Sequence, residues 1–301
     1  MKVFRHLKGT HSGSILTIGN YDGIHLGHQE ILNKLILEAK KTNLLSSVMT
    51  FEPHPKEFFS PKDAPARIIS IREKLEYFEE KTIDQVFIIK FNHEFSSLTS
   101  TQFIDILKNN IQAKQVIIGN DFRFGARREG DVKSLMKDGV NVCVMEKIQD
   151  NGERISSTMV RDLLANGDLE RATNILGRPY AISGKVVHGD KRGRELGFPT
   201  ANIHMFHNRP PLKGVFAVKL NGMSGVANLG TRPTITGISK LNLEVHLFDF
   251  SEDLYGKHAK VIFLQKVRDE KKFRNIEALK EQIKIDIKKA KIFLEDYDRR
   301  Q

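Results

Sequence analysis

Cysteine is almost absent from this chain of 301 residues: the single one, Cys143, lies in the apolar run Val140-Asn141-Val142-Cys143-Val144-Met145. One thiol excludes disulfides within the chain and any cysteine-rich metal site, and its setting marks it as a core thiol. No apolar run reaches the roughly 20 residues that a membrane-spanning helix needs, and Met1-Lys2-Val3-Phe4-Arg5-His6 has no apolar stretch of a signal peptide. A cytoplasmic chain that neither spans nor enters a membrane is the expectation. A P-loop of the form Gly-x4-Gly-Lys-Ser/Thr is missing, as are basic stripes interleaved with exposed aromatics, so the net charge of +11 points away from nucleic acid and toward small phosphorylated ligands.

What is present begins with ordinary globular composition, 40% hydrophobic and 28% charged residues, at a length that suits two domains with separate cores. The most informative segment is Ile18-Gly19-Asn20-Tyr21-Asp22-Gly23-Ile24-His25-Leu26-Gly27-His28. Apolar Ile15-Leu16-Thr17-Ile18 predicts a strand before it, and the periodicity from Gln29 to Ile36 predicts a helix after it. Gly19, Gly23 and Gly27 then lie in a strand-to-helix turn that brings backbone close to an anion, with the helix start offering unpaired N–H groups. His25 and His28 fall at i and i+3 and can face one ligand. In nucleotidyl transfer such donors stabilise charge on phosphate without abstracting a proton. The plain alternative is a glycine turn carrying two surface histidines.

Through the first half, predicted strands at 13–19, 44–51, 84–90, 115–119 and 140–146 alternate with helices near 27–42, 70–82, 100–110 and 158–177. That is the pattern of a doubly wound α/β domain with a parallel sheet, whose ligands bind beyond the carboxyl ends of the strands. Three polar segments fall at those ends or beyond the last of them: Phe51-Glu52-Pro53-His54-Pro55, the run Gly119-Asn120-Asp121-Phe122-Arg123-Phe124-Gly125, and Ile155-Ser156-Ser157-Thr158-Met159-Val160-Arg161. Each also has a structural reading: a proline strand stop with exposed His54, a strand end with Phe122 and Phe124 in the core, and a plain helix cap.

Beyond Gly177-Arg178-Pro179 the pattern changes to short alternating strands at 181–188, 214–220, 224–229, 241–248 and 258–267, the signature of a compact antiparallel barrel, followed by a helix over 275–298. Domains of 1–178 and 179–301 are expected. From Lys266 to Gln301 twelve Lys/Arg face eight Asp/Glu around Ile276, Leu279, Ile283, Ile287, Ala290 and Phe293, which predicts an amphipathic helix with a solvated charged face. Between the first barrel strands, the glycine-rich and basic segment from Gly184 to Asn202 suggests a flap over phosphate.

The order of these motifs resembles the bacterial bifunctional riboflavin kinase/FMN adenylyltransferases, the prokaryotic FAD synthetases. In the first half the resemblance rests on Gly19-Asn20-Tyr21-Asp22-Gly23 through His25 and His28, with the three segments above. In the second it rests on Gly193-Arg194-Glu195-Leu196-Gly197-Phe198-Pro199-Thr200-Ala201-Asn202, then Asn228-Leu229-Gly230-Thr231-Arg232-Pro233-Thr234 and Glu244-Val245-His246-Leu247. Tyr21 stands where the family usually has Phe, which keeps the ring.

The resemblance implies ATP-dependent phosphorylation of riboflavin to FMN, then adenylyl transfer from a second ATP to FMN, giving FAD and pyrophosphate. For the kinase it implies Glu244 as base, on a strand facing Thr200; Thr200 and Asn202 as oxygens for Mg²⁺; and Gly184, Lys185, His188, Gly189, Lys191, Arg192 and Arg194 in the flap, with Gly197, Phe198, Pro199 and Arg268 around ATP and flavin. For the adenylyltransferase it implies that Gly19, Asn20, Asp22, Gly23, His25, His28, Ser157, Thr158 and Arg161 hold ATP, while Pro53, His54, Asn120, Asp121, Phe122 and Arg123 meet FMN. Flavins and ATP are then the partners, rather than nucleic acid or membrane, and the oligomeric state is left open. Two other readings stay open: a nucleotidyltransferase for a different phosphorylated metabolite, and a nucleic-acid binder using the positive charge.

Overall fold

A computed structural model describes all residues except 8–10, 190–191, 206–208, 233–239, 251 and 301, and only the backbone at Arg192, Arg194, Thr231, Arg232 and Lys240. Asp190 and Lys191 of the expected flap, and Pro233 and Thr234 of the Asn228 motif, therefore lie outside the described residues. The chain divides into two compact units, one of 1–65 with 71–156 and one of 66–70 with 157–301.

The first unit is built on six parallel strands, β1 (Lys2–Phe4), β2 (Ser14–Ile18), β3 (Leu45–Glu52), β4 (Gln85–Lys90), β5 (Ala113–Gly119) and β6 (Val142–Met145). Their order is β1-β4-β3-β2-β5-β6, so the chain reverses direction of growth at β2 and β5. That reversal opens the crevice in which ligands of such sheets bind. Central strands read as continuous apolar runs because both faces are covered; Leu16, Met49, Phe87 and Val116 are fully buried in one core. The sheet conforms to the expected doubly wound class, with β1 added at its edge.

Helix α1 (Leu26–Thr42) follows β2, α2 (Pro55–Phe59) follows β3, and α3 (Ile71–Glu80) precedes β4. The helix expected over 100–110 is α-helical only to Asp105 and continues as a π turn through Asn110. The helix expected over 158–177 is two, Ser157–Asn166 and Leu169–Leu176. Gly167 at φ 78° breaks it and the Asp168 carboxylate caps the second half through the Arg171 N–H. A short hairpin, β7 (Gln149–Asp150) and β8 (Glu153–Arg154), has no counterpart in the sequence pattern.

The second unit holds a closed barrel of six antiparallel strands: β9 (Ala181–Val187), β10 (Ala201–Met205), β11 (Gly214–Leu220), β12 (Met223–Arg232), β13 (Lys240–Leu247) and β14 (His258–Arg268). Sequence periodicity predicts five of these; β10 begins inside the segment that suggests a flap. Its polar residues alternate with buried Ile203 and Met205, a period-2 signal next to a stretch dominated by glycine and charge. The terminal helix, Ile276–Arg299, packs Ala290 and Leu294 on Val215, Ala217 and Val226 of the barrel. Ile276, expected on its buried face, is 57% exposed, and Asp286, expected to be solvated, is buried. Arg268 explains the latter, since its guanidinium grips both Asp286 oxygens.

Candidate active sites

In the first unit the chain leaves β2 through a turn whose backbone is unusual. Tyr21 and Ile24 sit at φ 49° and 44°, and Gly23 at 88°. A β-branched residue in this left-handed region is disfavoured, and burial of Ile24 and Tyr21 holds the conformation. The Thr17 hydroxyl donates to the Ile117 carbonyl at 2.7 Å and accepts from the Tyr21 hydroxyl at 2.6 Å, which ties the turn to β2 and β5 at the point where the sheet order reverses. Burial raises the Tyr21 phenol well above its ordinary value, so it stays a donor. The Tyr21 hydroxyl thus has a structural role that a Phe could not fill.

His25 is the N-cap of α1, its Nδ1 accepting from the His28 N–H at 3.4 Å. That contact leaves the proton of a neutral His25 on Nε2. The two rings stack at 3.7 Å and 16°, so the i, i+3 pair does face one way. Burial, reinforced by His25, Lys74 and Arg154, pushes the His28 imidazole well below its ordinary pKa, and it is neutral at pH 7. His28 Nδ1 and the Asn20 side-chain oxygen are buried with no hydrogen-bond partner among the described residues, and buried polar atoms of this kind are ones that a bound ligand can satisfy. Asp22 is buried beside them in the chain. Lys74 of α3, fully buried, donates to the Asn20 carbonyl at 2.7 Å. Nothing in the sequence marks it, because a lysine on an amphipathic helix carries no sign that it points inward.

The other expected residues of this unit have definite places. Glu52-Pro53 is a cis peptide, and His54 caps α2, its Nδ1 accepting from Lys56 N–H while Glu57 accepts from its own N–H. Asn120 is exposed, and Asp121 pairs with Arg154 of the hairpin at 2.5 Å. Partial burial alone would raise the Asp121 carboxyl, but the Arg154 guanidinium outweighs it and holds the group below its ordinary value. Arg123 pairs with Asp131 at 2.8 Å. Phe124 is buried, and Phe122 lies half-buried against the same core, 5.7 Å from it. Ser157 and Thr158 open their helix, and Arg161 donates to the Ala66 carbonyl at 2.6 Å, all within the second compact unit.

In the barrel, register decides the site. Glu244 lies directly opposite Asn202 on one side and Asn228 on the other, with Leu243 and Val245 turned into the barrel. Its partner across the strand is therefore Asn202 and not Thr200, which precedes β10. Asn242 donates to Glu244 Oε1 at 2.7 Å and to Asn202 Oδ1 at 3.3 Å. His246 donates from Nδ1 to the Pro199 carbonyl at 2.8 Å and meets the Phe198 ring. Sequence reasoning gave neither Asn242 nor His246 a role, although alternation along β13 places both on the face of Glu244.

Gly189, beyond the end of β9, meets this row, and Gly184 within β9 lies against β10. A side chain at Gly189 would strike the Asn202 amide at 2.3 Å, and one at Gly184 the His204 carbonyl at 2.2 Å. Lys185 is exposed, and His188 stacks on Tyr255 at 3.8 Å. Arg192 and Arg194 fall in the turn of helix Arg192–Glu195, Gly193 accepts from the Phe198 N–H at 2.7 Å, and Gly197 takes φ 90°. Pro199, Thr200 and Ala201 line a cavity of about 400 Å³ with Val245, Phe250 and Tyr255. Arg268, in its pair with Asp286, lies over the Phe273 ring.

A glycine turn with a stacked histidine pair at the switch point of a parallel sheet, and in the same chain a strand-borne carboxylate among amides, are groups of the kind that a two-site phosphoryl- and nucleotidyl-transferring enzyme uses. Similarity to known proteins places that class. A profile of the FAD synthetase family matches residues 7–159 and one of riboflavin kinase residues 176–294. The bifunctional riboflavin kinase/FMN adenylyltransferase of Escherichia coli (strain K12) is 44% identical over 307 residues, 97% of this chain and 98% of that one. The enzyme of the same name from Haemophilus influenzae is also 44% identical, covering 93% and 94%. The chain belongs to the bifunctional riboflavin kinase/FMN adenylyltransferase family. A solved structure from Streptococcus pneumoniae described as a macrolide-efflux protein is 31% identical with a TM-score of 0.80, covering 94% of this chain and 96% of that one. Efflux is said of that protein alone; among the described residues here no helix is long and apolar enough to cross a membrane.

Proposed function

We propose the following division of labour in this bifunctional enzyme, with residues 1–178 adenylylating FMN and 179–301 phosphorylating riboflavin. In the kinase step Glu244 takes the proton of the ribityl 5′-hydroxyl as its oxygen attacks the γ-phosphorus of ATP, and ADP leaves. The segment between β9 and β10 covers the transferring group; Gly184 and Lys185, expected in that flap, belong to β9 instead. Thr200 and Asn202 carry a hydroxyl and an amide oxygen, hard neutral donors that fit Mg²⁺, an ion that keeps several waters and binds largely through substrate phosphates. When bound it supplies charge neutralisation on those phosphates. Gly197, Phe198, Pro199 and Arg268 border the ATP and flavin side.

In the second step an oxygen of the FMN phosphate attacks the α-phosphorus of ATP and pyrophosphate leaves. His25 and His28 hold the phosphates as hydrogen-bond donors and need not act as bases. Gly19, Asn20, Asp22 and Gly23 shape the backbone around them, and Ser157, Thr158 and Arg161 bind the nucleotide, as motif order implies. Pro53, His54, Asn120, Asp121, Phe122 and Arg123 serve FMN. The observation that carries this reading is the stacked histidine pair at the start of α1, with His28 Nδ1 and the Asn20 side-chain oxygen buried and without a hydrogen-bond partner among the described residues. The enzyme works in the cytoplasm on flavins and ATP, without nucleic acid.

Incubation with riboflavin, ATP and Mg²⁺, with FMN, FAD, ADP and pyrophosphate quantified over time, tests the whole. FMN appears first, then FAD, with both by-products. FMN alone would remove the adenylyltransferase assignment. If nothing formed even from supplied FMN, the reading would give way to a nucleotidyltransferase for another metabolite.

A further inference from the structure

Side chains at i and i+2 of a strand share a face but stand nearly 7 Å apart along it, since each residue advances roughly 3.4 Å. For the short Asn242 to reach Glu244, the carboxylate must be drawn back along β13, and the 2.7 Å contact shows that it is. A carboxylate only accepts, so the Asn242 group turned to it is the NH₂. The same nitrogen lies 3.3 Å from Asn202 Oδ1 on the neighbouring strand. One planar NH₂ carries two hydrogens at a fixed angle, and here each has its own acceptor. The spacing between the Glu244 and Asn202 side chains is thereby set by the amide.

Several features make this more than an incidental contact. Asn202 is buried and is covered from the flap side by Gly189, so Asn242 takes the one side of it that faces Glu244. Asn228 lies opposite Glu244 on the other flank, so the carboxylate has an amide residue across from it on both neighbouring strands. An apolar residue or a carboxylate at 242 would be compatible with the strand but could not hold both neighbours.

We infer that Asn242 is a positioning residue of the kinase site, fixing the Glu244 carboxylate in the orientation from which it accepts the substrate proton and holding Asn202 in register with it. This rests on the reading of Glu244 as the base, and the test separates the two. Asn242→Asp keeps the volume but replaces the donor with an acceptor. It lowers kcat for riboflavin phosphorylation by roughly tenfold or more, the scale of a misplaced proton acceptor, with KM for riboflavin and ATP within about twofold. Asn242→Gln, which keeps the NH₂, recovers a substantial part of the loss. In a Glu244→Gln background, Asn242→Asp costs nothing further, because the group it positions is already disabled; a merely structural role predicts additive losses. Wild-type kcat in Asn242→Asp, or full additivity in the double variant, would overturn the inference while a slow Glu244→Gln enzyme left the base standing. A Glu244→Gln enzyme of normal rate would overturn both.

Discussion

The two halves of this chain present reactive groups in opposite ways. In the sheet unit the histidine pair, Asn20 and Asp22 occupy one continuous turn beyond a strand end, held by backbone in left-handed conformations and by the Tyr21–Thr17–Ile117 chain of hydrogen bonds. In the barrel unit Asn202, Glu244 and Asn228 come from three strands and meet only because the register aligns them. A site built on a turn depends on local conformation; one built on strand faces depends on pairing between distant segments.

That contrast yields experiments in which each half serves as the other's control. The largest effect belongs to Glu244→Gln, which reduces riboflavin phosphorylation by about 10²–10⁴-fold, the usual contribution of a general base, while FAD formation from supplied FMN keeps its rate. His28→Ala does the reverse, lowering FAD formation by about 10²–10³-fold, as expected for a lost phosphate donor, with FMN production unchanged. Loss of both activities in either variant would mean that the two sites are not separable.

The third experiment uses pH. Unfolded, the His28 imidazole takes up a proton near pH 6.5; folded, burial keeps it neutral to a well lower pH. Over that interval the unfolded state binds more protons, so the contribution of a buried neutral His28 is complete above about pH 6.5 and is lost as the pH falls below it. Thermal unfolding followed from about pH 7.5 down to about 5.5 shows this decline, and His28→Gln flattens it. The smallest effect is that of Tyr21→Phe, which removes the hydroxyl from Thr17 but leaves Thr17 bonded to Ile117. It costs about 1 kcal/mol in denaturant unfolding and spares riboflavin phosphorylation.

The same contrast explains what the sequence disclosed. The turn from Gly19 to His28 was legible because its residues are consecutive and flanked by clear periodicities, and its place beyond the carboxyl end of a strand followed from strand alternation, whereas the strand order that makes this the switch point did not. The barrel motifs were legible as segments, yet the pairing of Glu244 with Asn202 was not, since register is a property of two strands and neither carries it alone. Lys74 and Asp286 were hidden for another reason. A charged side chain is taken as solvated unless its partner is known, and their partners, the Asn20 carbonyl and Arg268, are remote in sequence. Gly167 is visible as a helix breaker, but apolar periodicity on both sides of it outweighs that signal.

The Asn202–Glu244–Asn228 row also bears on how the barrel is assembled. A one-residue slip of β13 would turn Glu244 into the apolar interior and bring Leu243 or Val245 out among the amides, placing an unpaired carboxylate where it is most costly. The one acidic residue on the polar face of β13, whose other face is apolar, therefore acts as an alignment mark, so that the group required for chemistry also rejects the misthreaded barrel, and kinase activity becomes a readout of correct strand pairing.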